Sequence, residues 1–416
     1  MTLLERPTAL SAPRDAWRAR AWVWLRVGAQ LVTLLMLAWL LGAHALGRYA
    51  AALAMASVIA PLFVSGPAYV YLSSHPAFGC TRDQLATVWR RLLFTFGFAA
   101  STLVPIGMVA FAGDLGDAGL WFLVGFTEIV LAGFAEMAAR HHQSDGRYDA
   151  MGLWLALPHL LRFTALVLLL AIGVELTLPL WVLLSFATSL VLAWVGARRV
   201  PFKDNPRALD TLTRLLRTGF RFGHGNVAHH LMVDGDKPFV ARIAYPAAAG
   251  ALFVAQRVAE VFCMPLQKAV ARSLPRLLHA LPGERAPLWH QSAWWPALYA
   301  VFAGAALFAI APLLGVLGPE FGIAGAALRW LCWLPPLALA RGMLGNAAVV
   351  AGRHHAYVVG HWLGAGVRVL GAICLVALFG WEGAVASLLI AEVVPMLYLA
   401  ATMRGTAPAS ATSAHQ

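Results

Sequence analysis

Residues 219–241 read GFRFGHGNVAHHLMVDGDKPFVA, and whether this stretch crosses a membrane decides the fold. It holds His224, Asn226, His229, His230, Asp234, Asp236 and Lys237, a load that hydropathy alone would keep out of a bilayer. Its surroundings are unambiguous. Of 416 residues, 60% are hydrophobic and 12% charged, and the mean hydropathy is +0.72, outside the range of a soluble domain. A crossing takes about 20 apolar helical residues. Such runs occur near 22–43, 49–72, 92–112, 119–139, 151–173, 177–196, 247–271, 293–316, 322–342, 355–379 and 382–402.

The sign of the loops settles the remaining stretch. Cytoplasmic loops are enriched in Lys and Arg, and alternate loops here carry Arg82, Arg90 and Arg91, then Arg140 and Arg147, then Arg198, Arg199, Lys203, Arg207, Arg214 and Arg217, then Arg272, Arg276 and Arg285, then Arg353, then Arg404. The loops between hold mainly Asp114, Asp117, Glu175, Glu320 and Glu382, with Arg48 and Arg242 as exceptions. Without a crossing at 219–241 every later loop has the wrong sign. The expectation is therefore an all-α polytopic membrane protein of about twelve spans with both termini cytoplasmic. Arg14, Arg18 and Arg20 precede the first span, which reads as a retained signal anchor. The formal net charge of +12 is then the positive-inside bias spread over one membrane face, which excludes a nucleic-acid partner.

The domain reading is a cytoplasmic N-terminus (1–21), an N-lobe of six spans (22–196), a basic cytoplasmic linker (197–218) with a helical piece from Pro206, a C-lobe of six spans (219–402) and a disordered cytoplasmic tail (403–416). The lobes show an internal repeat. GRYDAMGLWLALPHLLRFTALVLLLA starts at Gly146 and GRHHAYVVGHWLGAGVRVLGAICLVA at Gly352. Arg162 and Arg368 each stand sixteen residues after their glycine. At about 1.5 Å per residue that is roughly 22 Å along the helix, near mid-membrane. An arginine there costs about 2.5–3.5 kcal/mol on insertion scales, so its recurrence is informative. Both copies run the same way, as in a parallel repeat with a pseudo-two-fold axis along the membrane normal.

The segment WLLGAHALGRYAAALAMASVIAPLFVSGPAYVYL, residues 39–72, resembles the opening of bacterial polysaccharide and O-antigen lipid flippases, with its Leu-Gly pair and Gly-x-Tyr before an alanine-rich second span. The stretch from Asp234 through ARIAYPAAAGALFVAQRVAEVFCMPLQKAVARSLPRLL resembles the start of their second half. The Gly-x-Tyr expected after the seventh span is replaced by Tyr245-Pro246, with Gly250 four residues on. The resemblance implies the fold of the multidrug, oligosaccharidyl-lipid and polysaccharide exporter superfamily, with a central cavity between two six-helix lobes. It also implies flipping of an undecaprenyl-pyrophosphate-linked oligosaccharide across the bacterial inner membrane, alongside a polysaccharide polymerase and glycosyltransferases. A drug or cation exporter of the same fold and a polytopic glycosyltransferase, ligase or polymerase are the alternatives.

Within the spans, Arg368, Arg162, Arg257 and Arg26 are the candidates for a cationic cavity holding the pyrophosphate, since arginine offers a fixed charge and a fork of donors. Arg329 is a further intramembrane cation. Arg257 has Glu260 three residues on as a local counter-ion, and Arg26 is close enough to the surface to snorkel. Asp234, Glu128, Glu136, Glu260 and Glu392 are the candidate ion-coupling carboxylates, each with the alternative of serving as an arginine's counter-ion. The pairs His141-His142, His229-His230 and His354-His355 lack metal-ligand spacing, and the four cysteines make neither a disulfide framework nor a CxxC pair, so no metal or cofactor is expected. Trp17, Trp22, Trp89, Trp289, Trp294, Trp295 and Trp381 read as interfacial anchors; Trp154 and Trp362 read as core, with sugar stacking as the alternative.

Overall fold

The computed structural model describes residues 13–73, 78–114, 116–205, 207–280 and 285–404; the start of the predicted N-terminal segment and the tail from 405 lie outside them. The membrane-length helices are α1 (Trp17–Ser73), α2 (Arg82–Ala112), α3 (Ala118–Ser144), α4 (Tyr148–Ala171) and α5 (Leu178–Arg199). Then come α6 (Ala208–Asp234) and the short α7 (Lys237–Ile243). α8 (Pro246–His279), α9 (Pro287–Leu317), the pair α10 (Pro319–Leu331) and α11 (Leu334–Val350), α12 (His354–Phe379) and α13 (Trp381–Arg404) complete the chain.

Among the described residues nine of these helices are long and apolar enough to cross a membrane, and the bent α10–α11 pair makes ten. The 57-residue α1 covers the first two predicted spans, divided at Gly42, whose φ of 72° and ψ of 168° no helix contains. The predicted seventh span falls on α6 and α7, broken at Gly235–Asp236 instead of running unbroken through 219–241, and neither is among the helices that are long and apolar enough to cross a membrane. The helical piece expected in the linker is continuous with α6. The predicted tenth span bends by 46° because Pro335 and Pro336 follow Trp333: proline lacks an N–H and forces a helix to restart.

The repeat is visible in the backbone. Gly146 (φ 74°) and Gly352 (φ 76°) end their helices in the left-handed region. Gly146 N–H donates to Gln143 O and Arg147 N–H to His142 O, at 3.1 and 2.9 Å. Gly352 and Arg353 repeat both bonds, to Val349 O and Ala348 O, at 3.0 and 2.8 Å. This is the same Schellman closure twice, and it launches α4 and α12.

Two compact units form. Unit 1 takes the described residues of 13–36, 55–109 and 114–226, and unit 2 those of 37–54, 110–113 and 227–404. In unit 1 a core around Trp89, Tyr71, Leu85 and Phe134 joins α1, α2 and α3. Trp89, expected at an interface, is wholly buried and donates its indole N–H to Phe63 O at 2.9 Å. In unit 2 the Leu-Gly and Gly-x-Tyr elements acquire a physical reading. The Ala43 N–H released at the Gly42 break is accepted by Glu320 Oε2 at 3.2 Å. Gly47 lies so close to the backbone of Pro246 and Gly250 that a Cβ would overlap it. The alanine-rich start of α8 thus packs against this part of α1.

Candidate functional site

Unit 1 encloses a cavity of about 180 Å³ walled by α1, α3, α4 and α5. Arg26, Glu128, Glu136, Trp154, His159, Arg162 and Ser189 face it. Glu128 lies in a π-helical turn, Thr127–Leu131. Residues eight apart on a regular helix stand about 80° from each other, and the extra residue of a π turn cuts this to about 20°. That is how Glu128 and Glu136 come to share one wall. π turns recur at functional positions in helices.

Arg162 Nη2 donates to Glu128 Oε1 at 2.9 Å and to Ser189 Oγ at 3.0 Å. Arg140 donates to Glu136 Oε1 from Nε at 2.8 Å and from Nη2 at 2.5 Å. His159 Nε2 and Gln30 Nε2 are 2.9 Å apart. Arg26 differs from all of these: among the described residues it forms no hydrogen bond or ion pair, and Glu136 acts on it only through space. With Glu128 and Glu136 each neutralised by an arginine, the cavity keeps one uncompensated guanidinium. Trp154 supplies an aromatic edge in the same wall.

Unit 2 arranges its charges as an alternating chain. Glu260 Oε2 accepts from Arg257 Nη1 at 2.5 Å, and Arg257 Nη2 donates to Asp234 Oδ2 at 2.7 Å. Asp234 Oδ1 lies 3.1 Å from Lys237 Nζ, which lies 3.2 Å from Asp236 Oδ1; Asp236 Oδ2 is 2.6 Å from Arg368 Nη2. Lys237 also donates to Val233 O at 3.0 Å and to Gln256 Oε1. Arg368 Nη1 donates to Ala384 O at 2.6 Å and Ser387 Oγ at 2.8 Å. Three cations alternate with three anions, so the chain is neutral. Its Arg368 end is sealed: Arg368 and Asp236 are 0% exposed and Lys237 1%. A smaller cavity of about 40 Å³ adjoins it, lined by His229, Glu260, Arg341 and Glu392. Arg341 Nε donates to Glu392 Oε2 at 2.6 Å.

Both mid-span arginines thus have acidic partners, and these come from other elements: Glu128 on α3 for Arg162, Asp236 at the α6–α7 break for Arg368. Arg368 does not line either cavity. Arg257 takes the expected Glu260 and Asp234 as well, and Glu392 has a partner that sequence reasoning missed. Arg341 sits one residue before the predicted end of the tenth span, whereas α11 runs on to Val350. Reading Pro335-Pro336 as a helix start would have moved that span downstream. Asp236 and Lys237 were visible as polar residues of the seventh span; their place in the chain depends on contacts with α8 and α12. Among the described residues no His, Cys, Asp and Glu group could hold a metal ion.

No family model and no curated protein matches the chain. Solved structures do. An inward-facing multidrug resistance MATE family transporter of the MOP superfamily superposes with a TM-score of 0.70 at 14% identity, covering 91% of this chain and 96% of that one. The lipid II flippase MurJ, inward closed, gives 0.71 at 10% identity over 93% of this chain and 87% of its own. The MATE multidrug transporter DinF-BH in complex with R6G gives 0.64 at 14% identity over 96% and 97%. The chain therefore has the fold of the multidrug, oligosaccharidyl-lipid and polysaccharide exporter superfamily.

Proposed function

We propose that this protein is a transporter that moves an undecaprenyl-pyrophosphate-linked oligosaccharide from the cytoplasmic to the outer face of a bacterial inner membrane by alternating access. The observation that carries this reading is Arg26, a guanidinium facing the unit-1 cavity with no acceptor of its own, beside Arg162. An unmatched donor in a polar pocket is built for an anionic ligand, and a pyrophosphate accepts from two arginines at once. Trp154 offers the cavity an apolar face of the kind that packs on a sugar ring. The fold is shared by multidrug transporters and a lipid flippase, so it does not choose the cargo. The unmatched Arg26 supports an anionic cargo over a drug cation, the alternative cargo for this fold. The segments between spans on the outward side are short, Ile172–Thr177 among them, which leaves little room for the catalytic loop that a glycosyltransferase, ligase or polymerase would need.

Glu128 is the carboxylate we assign to ion coupling. It faces the cargo cavity, and its partner Arg162 is a group that a phosphate would claim. A headgroup on Arg162 releases Glu128 from its ion pair, which leaves a carboxylate at the cavity wall free to take a coupling ion in place of the arginine. Glu136 faces the same cavity but is held by Arg140, which does not line it; Asp234, Glu260 and Glu392 are paired with arginines of unit 2.

The test is reconstitution into proteoliposomes with a fluorescent pyrophosphate-linked glycolipid and, separately, a cationic dye. The glycolipid should cross, and Arg26→Gln should slow it about tenfold to a hundredfold, the worth of a charge-assisted hydrogen bond. Dye transport without glycolipid flipping would reverse the assignment.

A further inference from the structure

One titratable side chain of the unit-1 cavity has no part in the exchange between Arg162 and Glu128. His159 faces the cavity one helical turn before Arg162 on α4, and Gln30 stands one turn after Arg26 on α1. Among the described residues the charges that act on His159 are those of Arg26 and Arg162. The ring therefore sits in a positive field, with a fixed neighbour on one side.

That neighbour is Gln30, whose Nε2 lies 2.9 Å from His159 Nε2. An amide nitrogen has only hydrogens to give, so the ring nitrogen facing it is the acceptor. A neutral imidazole carries one hydrogen, and with Nε2 accepting it sits on Nδ1. Nδ1 has no hydrogen-bond partner among the described residues. Arg26 agrees with this assignment: it makes no hydrogen bond to the ring, as two donors would not. Gln30 is not part of the cavity wall, so its amide acts on a cargo only through the ring it holds.

We propose that His159 donates Nδ1–H to a non-bridging oxygen of the cargo's pyrophosphate, as an uncharged third donor beside Arg26 and Arg162, with Gln30 as the residue that positions it. This role rests on the cargo being a lipid pyrophosphate and adds a selectivity to that reading. Two guanidiniums satisfy the two non-bridging oxygens of a single phosphate diester. A pyrophosphate diester brings a second pair, and a donor about 4.5 Å along α4 from Arg162 is placed for it. A donor in a closed site that finds no acceptor is penalised. A lipid linked through one phosphate therefore binds less tightly, and cargo is sorted by its linker before any sugar is read.

The experiment compares two fluorescent short-chain prenyl glycolipids, identical except that one carries a pyrophosphate and the other a single phosphate. Both are assayed for flipping by the full chain in proteoliposomes and for binding to it in detergent. The wild type should bind the pyrophosphate lipid tighter by about tenfold or more, the worth of one hydrogen bond to a charged group. His159→Gln puts its amide where Nε2 was, next to Gln30, and should lose that preference by weakening the pyrophosphate lipid alone. His159→Asn puts its amide nitrogen where Nδ1 was and should keep most of the preference. Gln30→Leu should fall between the two. Added to His159→Asn it should cost nothing further, because an asparagine needs no partner to fix its donor. Equal binding of the two lipids by the wild type, an unchanged preference in His159→Gln, or equal losses in His159→Gln and His159→Asn would each overturn this role and leave the transport reading standing. A wild type that flips neither lipid would overturn both.

Discussion

Arg162 and Arg368 occupy the same place in the repeat, sixteen residues beyond Gly146 and Gly352, and the two helices start from the same backbone closure. Their surroundings differ completely. Arg162 faces a polar cavity and shares a partly exposed carboxylate, Glu128, with it. Arg368 is sealed, with Asp236, Ala384 O and Ser387 as its partners. A repeat conserves where a side chain starts; the neighbours supplied by other helices decide what its charge is for. In unit 1 those neighbours leave space and one unmatched guanidinium. In unit 2 they close six charges, Arg368 among them, into a neutral chain.

The sharpest break in this comparison is Arg368→Ala. It leaves the fully buried Asp236 with Lys237 as its one remaining cation, and removing one member of a buried pair costs about 3–5 kcal/mol; thermal unfolding in detergent should drop steeply. Adding Asp236→Leu to Arg368→Met should regain more than half of that loss, because the pair leaves the chain as a neutral unit and Glu260, Arg257, Asp234 and Lys237 still balance. Recovery of nothing would mean that Asp236 is needed by Lys237 more than by Arg368. Arg162→Ala should act on transport and not on melting. Glycolipid flipping falls about tenfold or more, while Glu128, 24% exposed, rehydrates in the cavity. The smallest effects should come from Gly146→Ala and Gly352→Ala, each costing about 1–2 kcal/mol by forcing a Cβ into the left-handed region. The two melting shifts should match, since the backbone is equivalent even where the arginines are not.

Much of this was legible in the sequence, for stated reasons. Apolar length and charge bias placed the helices, and the sign alternation called for a seventh crossing where the structure has the polar, broken pair α6 and α7. The repeat was readable because two mid-span arginines at one offset are too costly to arise idly. The charge partners were not readable. Glu128 and Arg162 are 34 residues apart and Asp236 and Arg368 are 132 apart, and a search for carboxylates within each arginine's own span misses both. The π turn at Thr127–Leu131 has no signature in its letters, so the convergence of Glu128 and Glu136 could be stated only as a rough face match. Local chemistry did succeed where partners were close, as for Arg257 and Glu260 three residues apart.

One paired measurement tests the divergence of the two arginines most directly: Arg162→Gln and Arg368→Gln, each assayed for glycolipid flipping in proteoliposomes and for thermal unfolding. The predicted result is that Arg162→Gln loses transport with unchanged melting, and Arg368→Gln loses melting. Two variants that melt like the wild type and lose transport equally would contradict it, and would return both arginines to the substrate.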